Sequence, residues 1–243
     1  MNRHSFSKGA TLRSRRAYDD DPLAAGPEVG LSTRVVMPRT FAPDSLSPED
    51  ALARLREGNR RFVAGKGVAV PRWHPGLADG QAPFAVVFGC SDSRAPAEYV
   101  FDQGLGDLFV IRVAGNIVAP SLVGSVEFAA SRFGTRLVVV MGHTQCGAVA
   151  ATVHALEHGG TPESHNFRSI VDRIAPQVQH LFGADSAPSS GRAVAAVRAN
   201  AVATARDMRH ASPLLQDLVD RGRMKIVPSV YDLETGVVTF IDD

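Results

Sequence analysis

Two cysteines and one histidine stand where chemistry tends to collect. Cys90-Ser91-Asp92-Ser93-Arg94 follows directly on the apolar run Phe84-Ala85-Val86-Val87-Phe88. His143-Thr144-Gln145-Cys146-Gly147 follows just as directly on Leu137-Val138-Val139-Val140-Met141. Short, continuous apolar runs of this kind read as strands buried on both faces, and in open parallel sheets ligands gather where strands end. Two thiols and one imidazole at strand ends are the makings of a zinc site. His143 and Cys146, 3 positions apart, can converge from a single turn, whereas Cys90, 56 positions before Cys146, joins them only on folding. Three protein ligands leave a fourth position open for water, which is the catalytic rather than the structural arrangement.

Other readings of the same residues stay open. A single Cys at a strand end is commonly a small buried hydrophobe, and a single His a satisfied core residue. Two thiols close enough to share a metal are also close enough to oxidise. Cys90 and Cys146 are the whole cysteine content of the chain, and one stands beside a His, which favours the metal. Asp92 and Arg94 favour it again. A redox pair has no need of a carboxylate and a guanidinium next to its thiol, whereas a hydrolytic metal site does; the plain alternative is a surface ion pair of little worth.

The elements that must position these residues follow from periodicity. Residues 108–111 and 224–227 are further apolar runs, and helical patterns cover 96–101, 121–133, 148–158, 166–181 and 192–210. Apolar strands alternating with helices predict an α/β fold, a mainly parallel central sheet flanked by helices. Residues 229–241 read as a hairpin around Thr235-Gly236, giving an antiparallel edge strand near the C-terminus. Ser47-Pro48-Glu49-Asp50 opens a helix, with a cap, a first-turn proline and acids at the positive end. Leu52, Leu55 and Phe62 share its apolar face, and the Pro/Gly-rich stretch 70–83 is a loop.

Composition bounds the function. Lys+Arg 26 against Asp+Glu 25 gives a net charge of +1, so no strong field points to nucleic acid or anionic membrane. No apolar run is long enough for an ordinary membrane span, and two cysteines are too few for a disulfide-built fold. Residues 1–45 are rich in Arg, Ser, Pro and Gly, with Arg13, Arg15 and Arg16 followed by Asp19, Asp20 and Asp21. No apolar stretch follows the arginines, so a secretory leader is not expected. This segment is expected to be an arm, disordered or draped on a partner subunit, and residues 46–243 a single catalytic α/β domain.

Cys-Ser-Asp-Ser-Arg at 90–94 followed by Gly142-His143 and Cys146-Gly147 resembles the β-class carbonic anhydrases. The likeness extends to Gly-Asp-Leu-Phe-Val-Ile-Arg-Val-Ala-Gly-Asn at 106–116 and Ser-Val-Glu-Phe-Ala at 125–129. It also takes in Asn200, Ser212-Pro213-Leu214-Leu215, Tyr231-Asp232 and Thr235-Gly236. It runs from about residue 47 to 241 and leaves the first 44 residues outside.

The resemblance implies one Zn2+ per chain on Cys90, His143 and Cys146, and reversible hydration of CO2 to bicarbonate and a proton through zinc-bound hydroxide. It makes Asp92 the acceptor of a hydrogen bond from the zinc-bound water, with Arg94 keeping that carboxylate ionised and aimed. It also makes Gln81 and Phe109 substrate-binding residues that face the zinc of a neighbouring subunit, and so implies a homodimer or higher oligomer. A small apolar pocket with one amide donor suits a substrate without charge. Without the resemblance, Gln81 reads as an exposed loop residue and Phe109 as ordinary core.

Two thiolates cancel the zinc charge where a three-His site keeps it, so activity is expected to rise through mildly alkaline pH. Val87 stands where family members that close their site in bicarbonate have Trp, so an open site is expected at neutral pH. Pro228-Ser229 replaces the family's usual Gly-Ala. His154, His158, His165 and His180 are read as surface residues, and the sequence singles out none of them as a proton relay. Two rivals remain: hydrolysis of CS2 or COS on the same scaffold, and a zinc- or thiol-based regulatory module without turnover. Metal-binding thiols must stay reduced, which makes a cytoplasmic location the expectation.

Overall fold

Ser47 accepts a hydrogen bond from the Asp50 amide at 3.0 Å and caps helix α1, Pro48–Val63, as its sequence requires. The computed structural model describes residues 46–67, 73, 75–160, 162, 164–182 and 189–241; the expected arm over 1–45 lies outside them. Ala51, Leu52 and Leu55 bury the inner face of α1. Gly58 lies so close to helix α2, Ala97–Val100, that an added Cβ would stand 1.8 Å from the Phe101 carbonyl oxygen. The adjacent Asn59 is buried. Its amide donates to the carbonyls of Val100 at 3.1 Å and Gly236 at 2.9 Å, and its oxygen accepts from Val238 N–H at 2.9 Å.

The sheet comprises β1 (Ala85–Gly89), β2 (Leu108–Arg112), β3 (Leu137–His143), β4 (Lys225–Tyr231) and β5 (Val238–Phe240) in the order β2-β1-β3-β4-β5. The first four are parallel and β5 is antiparallel to β4, as the sequence pattern predicts. In one respect the structure differs. The apolar run at 224–227 and the first arm of the expected hairpin are a single strand passing through Pro228, paired with β3 from Leu137↔Lys225 to His143↔Tyr231. Proline reads as an interruption because it lacks a ladder donor, but the alternating burial of Val227, Ser229 and Tyr231 continues across it.

Helices α3 (Pro120–Arg132), α4 (Gly147–His158), α5 (His165–Val178), α6 (Ser189–His210) and α7 (Pro213–Asp220) complete the fold. Periodicity does not reveal α7, which is only two turns long, although Ser212 caps it by accepting from Leu215 N–H at 3.2 Å. The expected loop at 70–83 contains a 3-10 turn, Pro75–Asp79, with no buried residue. Side chains alternate across the sheet. Val87 and Val139 pack with Leu55 and Phe101 on the α1–α2 side, while Val86, Phe88 and Val138 pack with Val126, Met208 and Leu215 on the α3–α6–α7 side. A third cluster caps the strand ends, where Cys90 and Cys146 lie among Val149, Ile174 and Val197.

Candidate metal centre

The loop after β1 supplies Cys90, the end of β3 supplies His143, and the turn into α4 supplies Cys146. All three are buried. Their ligand atoms lie within 4.8 Å of one another, and the two sulfurs are 4.0 Å apart. Gln145, at φ 57, turns the chain back sharply enough for Cys146 to face His143 across that short loop. Thr144 fixes the same loop to the end of β4: its N–H donates to the Tyr231 carbonyl at 2.9 Å, and its hydroxyl accepts from Leu233 N–H at 2.9 Å.

His143 Nδ1 lies 2.9 Å from the Thr144 carbonyl oxygen. A carbonyl only accepts, so Nδ1 carries the proton and the Nε2 lone pair is free. Nε2 is buried and has no hydrogen-bond partner, a costly arrangement unless something electrophilic meets it. An orphaned imidazole lone pair facing two thiol sulfurs is a donor set that zinc takes. The residues therefore fit the ion.

Electrostatics agree with that reading. The sulfurs compete for one proton: Cys146 as donor lowers the Cys90 thiol, while its own donation to Cys90 and burial raise Cys146. The first amides of α4, at Val149 and Ala148, oppose that rise, as expected for a thiol at a helix N-terminus. Burial is the largest single influence and disfavours a charged His143, but the Cys90 sulfur, the Thr144 carbonyl and Asp92 together outweigh it, and the ring's affinity for a proton is raised. The pocket thus attracts positive charge.

Asp92 lies beside this cluster, its Oδ2 3.9 Å from His143 Nε2. Arg94 holds its carboxyl well below the usual carboxylate range through two side-chain hydrogen bonds, while partial burial opposes. Arg94 also reaches the Gln145 carbonyl at 3.4 Å, joining the two loops. Arg112, at the end of β2, is a support that the sequence pattern does not single out. Its guanidinium donates to the carbonyl of Cys90 at 2.9 Å and to that of Asp92, which fixes the backbone carrying both. A cation closing the strand beside the Cys90 loop was the available signal.

The two expected substrate residues lie elsewhere within the chain. Gln81 is exposed on the segment before β1. Phe109 is half-buried on β2, in an aromatic trio with Phe128 at 6.2 Å and Phe133 at 5.9 Å.

Comparison with known proteins identifies the family. The carbonic anhydrase family model matches residues 85–238, the whole sheet up to the first residue of β5. Over 140 residues the chain is 46% identical to carbonic anhydrase 2 of Mycobacterium tuberculosis, an alignment covering 54% of this chain and 65% of that protein. It is 39% identical over 200 residues to the carbonic anhydrase of Mycolicibacterium smegmatis, covering 79% of this chain and 92% of the relative. The crystal structure of the β-carbonic anhydrase CafA of Aspergillus fumigatus is similar with a TM-score of 0.60 at 27% identity, covering 80% of this chain and 90% of that one. Fold and site together define an α/β protein with a Cys-His-Cys cluster, able to hold a metal ion, at its strand ends. The chain belongs to the β-class carbonic anhydrases.

Proposed function

We propose that the chain catalyses the reversible hydration of CO2 to bicarbonate and a proton, with one Zn2+ per chain held by Cys90, His143 and Cys146. The observation that carries this reading is the convergence of those three ligand atoms within 4.8 Å beside an ionised Asp92. The relatives named above are themselves called carbonic anhydrases. Zinc held by these residues would supply a Lewis acid able to acidify water. Asp92, acceptor-only while ionised, would take a hydrogen bond from such a water and so orient it toward the substrate carbon. Arg94 occupies both Asp92 oxygens and would hold the carboxylate away from a bound ion, the open arrangement expected with Val87 in place of Trp.

Gln81 and Phe109 serve as substrate contacts across a subunit interface, which makes the working form a homodimer or higher. Support comes from β2, the edge of the sheet among the described residues, and from Phe128, exposed beside Phe109. No described helix is long and apolar enough to cross a membrane. The free Cys90 and Cys146 suit a reducing cytoplasm. The near-zero net charge suits a small-molecule substrate rather than nucleic acid. The Asp92–Arg94 pair speaks against a regulatory module without turnover.

Stopped-flow CO2 hydration with zinc measured per chain tests the reading, run beside CS2 and COS hydrolysis. Rapid hydration at one zinc per chain is expected. A zinc-loaded chain that leaves CO2 unchanged would refute it.

A further inference from the structure

We propose that Asn200 and Thr204, on α6, are positioning residues for the Cys90 sulfur. The inference rests on Cys90 being a metal ligand. Neither side chain touches Cys90, and they act through the turn after β2.

Cys90 Sγ accepts a hydrogen bond from the Gly115 amide at 3.4 Å. Gly115 and Asn116 are consecutive left-handed residues, at φ 71 and φ 43. Only glycine fits the first position: a Cβ there would stand 2.7 Å from Ile174 Cδ1 and 3.1 Å from Ala148 Cβ. The second costs a non-glycine residue energy, though Asn tolerates it better than most. Such a turn needs outside support.

Asn200 and Thr204 are four residues apart and so lie on one face of α6. The Asn200 amide donates to the Gly115 carbonyl at 2.9 Å and to Asn116 Oδ1 at 3.5 Å, and the Thr204 hydroxyl donates to the Asn116 carbonyl at 3.1 Å. Both donors are nearly inaccessible, at 2% and 4% exposure, so water does not replace them. Held at both carbonyls, the turn keeps the Gly115 N–H directed at the sulfur. A hydrogen bond to a thiolate draws charge from it and limits its donation to a metal. Asn200 and Thr204 thereby set how far two thiolates cancel the charge of the ion.

Cobalt substituted into the full-length chain reports this directly, because the sulfur-to-cobalt charge-transfer band follows the electron density on sulfur. Thr204→Val and Asn200→Ala are expected to move that band to longer wavelength, since the sulfur becomes more electron-rich, and to weaken cobalt binding about tenfold, since the sulfur is no longer held in place for the ion. Thr204→Ser, which keeps the hydroxyl, is expected to restore both. A band and affinity unchanged in Thr204→Val overturn the proposal, as does a lowered melting temperature with an unmoved band. Should Asn200→Ala not fold, the Val and Ser variants of Thr204 decide the matter. If the unsubstituted protein shows no cobalt–sulfur band at all, the ligand assignment itself fails, an outcome distinct from the others.

Discussion

Arg94 reaches both carboxylate oxygens of Asp92, its Nε 2.9 Å from Oδ1 and a terminal nitrogen 2.8 Å from Oδ2. An acid gripped on both oxygens stays charged and holds one orientation. Asp92→Asn keeps the size but replaces one acceptor by a donor. The variant is expected to retain one zinc per chain and to lose at least about 100-fold in hydration rate. Stopped-flow rates set against metal content check this, and wild-type turnover would remove Asp92 from the chemistry.

Cys146→Ala removes one of the three converging donors and leaves the Cys90 sulfur and His143 Nε2 facing empty space. Zinc content and hydration are expected to fall together, and elemental analysis of the dialysed protein measures the first. A variant that kept both would place the metal elsewhere.

Acidity should separate the two halves of the site. The folded-state pKa of Asp92 is lowered, so the Asp92–Arg94 pairing is in place above the ordinary carboxylate range. It is lost only as pH falls through that lowered value, on the strongly acid side. His143 is raised, so its gain from a bound proton is present below the unfolded imidazole value and is lost as pH rises through the folded one. That proton competes with zinc for Nε2. Chelator is therefore expected to strip zinc faster at about pH 6 than at about pH 8, and acid inactivation to follow zinc content rather than Asp92. In the zinc-loaded protein, hydration is expected to rise from about pH 7 to about pH 9. Stopped-flow rates corrected for zinc content check both statements, and a flat or falling profile contradicts the second.

Asn59 is buried, with three backbone partners on two separate segments. Asn59→Ala strands the Val238 amide and two carbonyls, at a cost of about 2 kcal/mol or more. Chemical denaturation reads this out, and a change below about 0.5 kcal/mol would mean that water fills the gap.

The cluster of Cys90, His143 and Cys146 was legible in the sequence because strand ends are marked by apolar runs, and these residues directly follow two of them. The parallel sheet was legible for the same reason. Pro228 hid the length of β4, since pairing with β3 overrides what a proline does in isolation. α7 was hidden by its shortness. The supports of the site were least visible. Arg112 and Thr144 act through backbone carbonyls and amides, and such bonds leave no periodic trace in side-chain type.

Thr144, two residues before Cys146, is held by the Tyr231 carbonyl and the Leu233 amide, so this loop is anchored to a segment synthesised well after it. A nascent chain emerging from the ribosome has His143 and Cys146 long before it has their anchor. Loading of the ion is thus expected to await synthesis of the end of β4, and translation arrested before residue 231 should yield chains that fail to retain zinc.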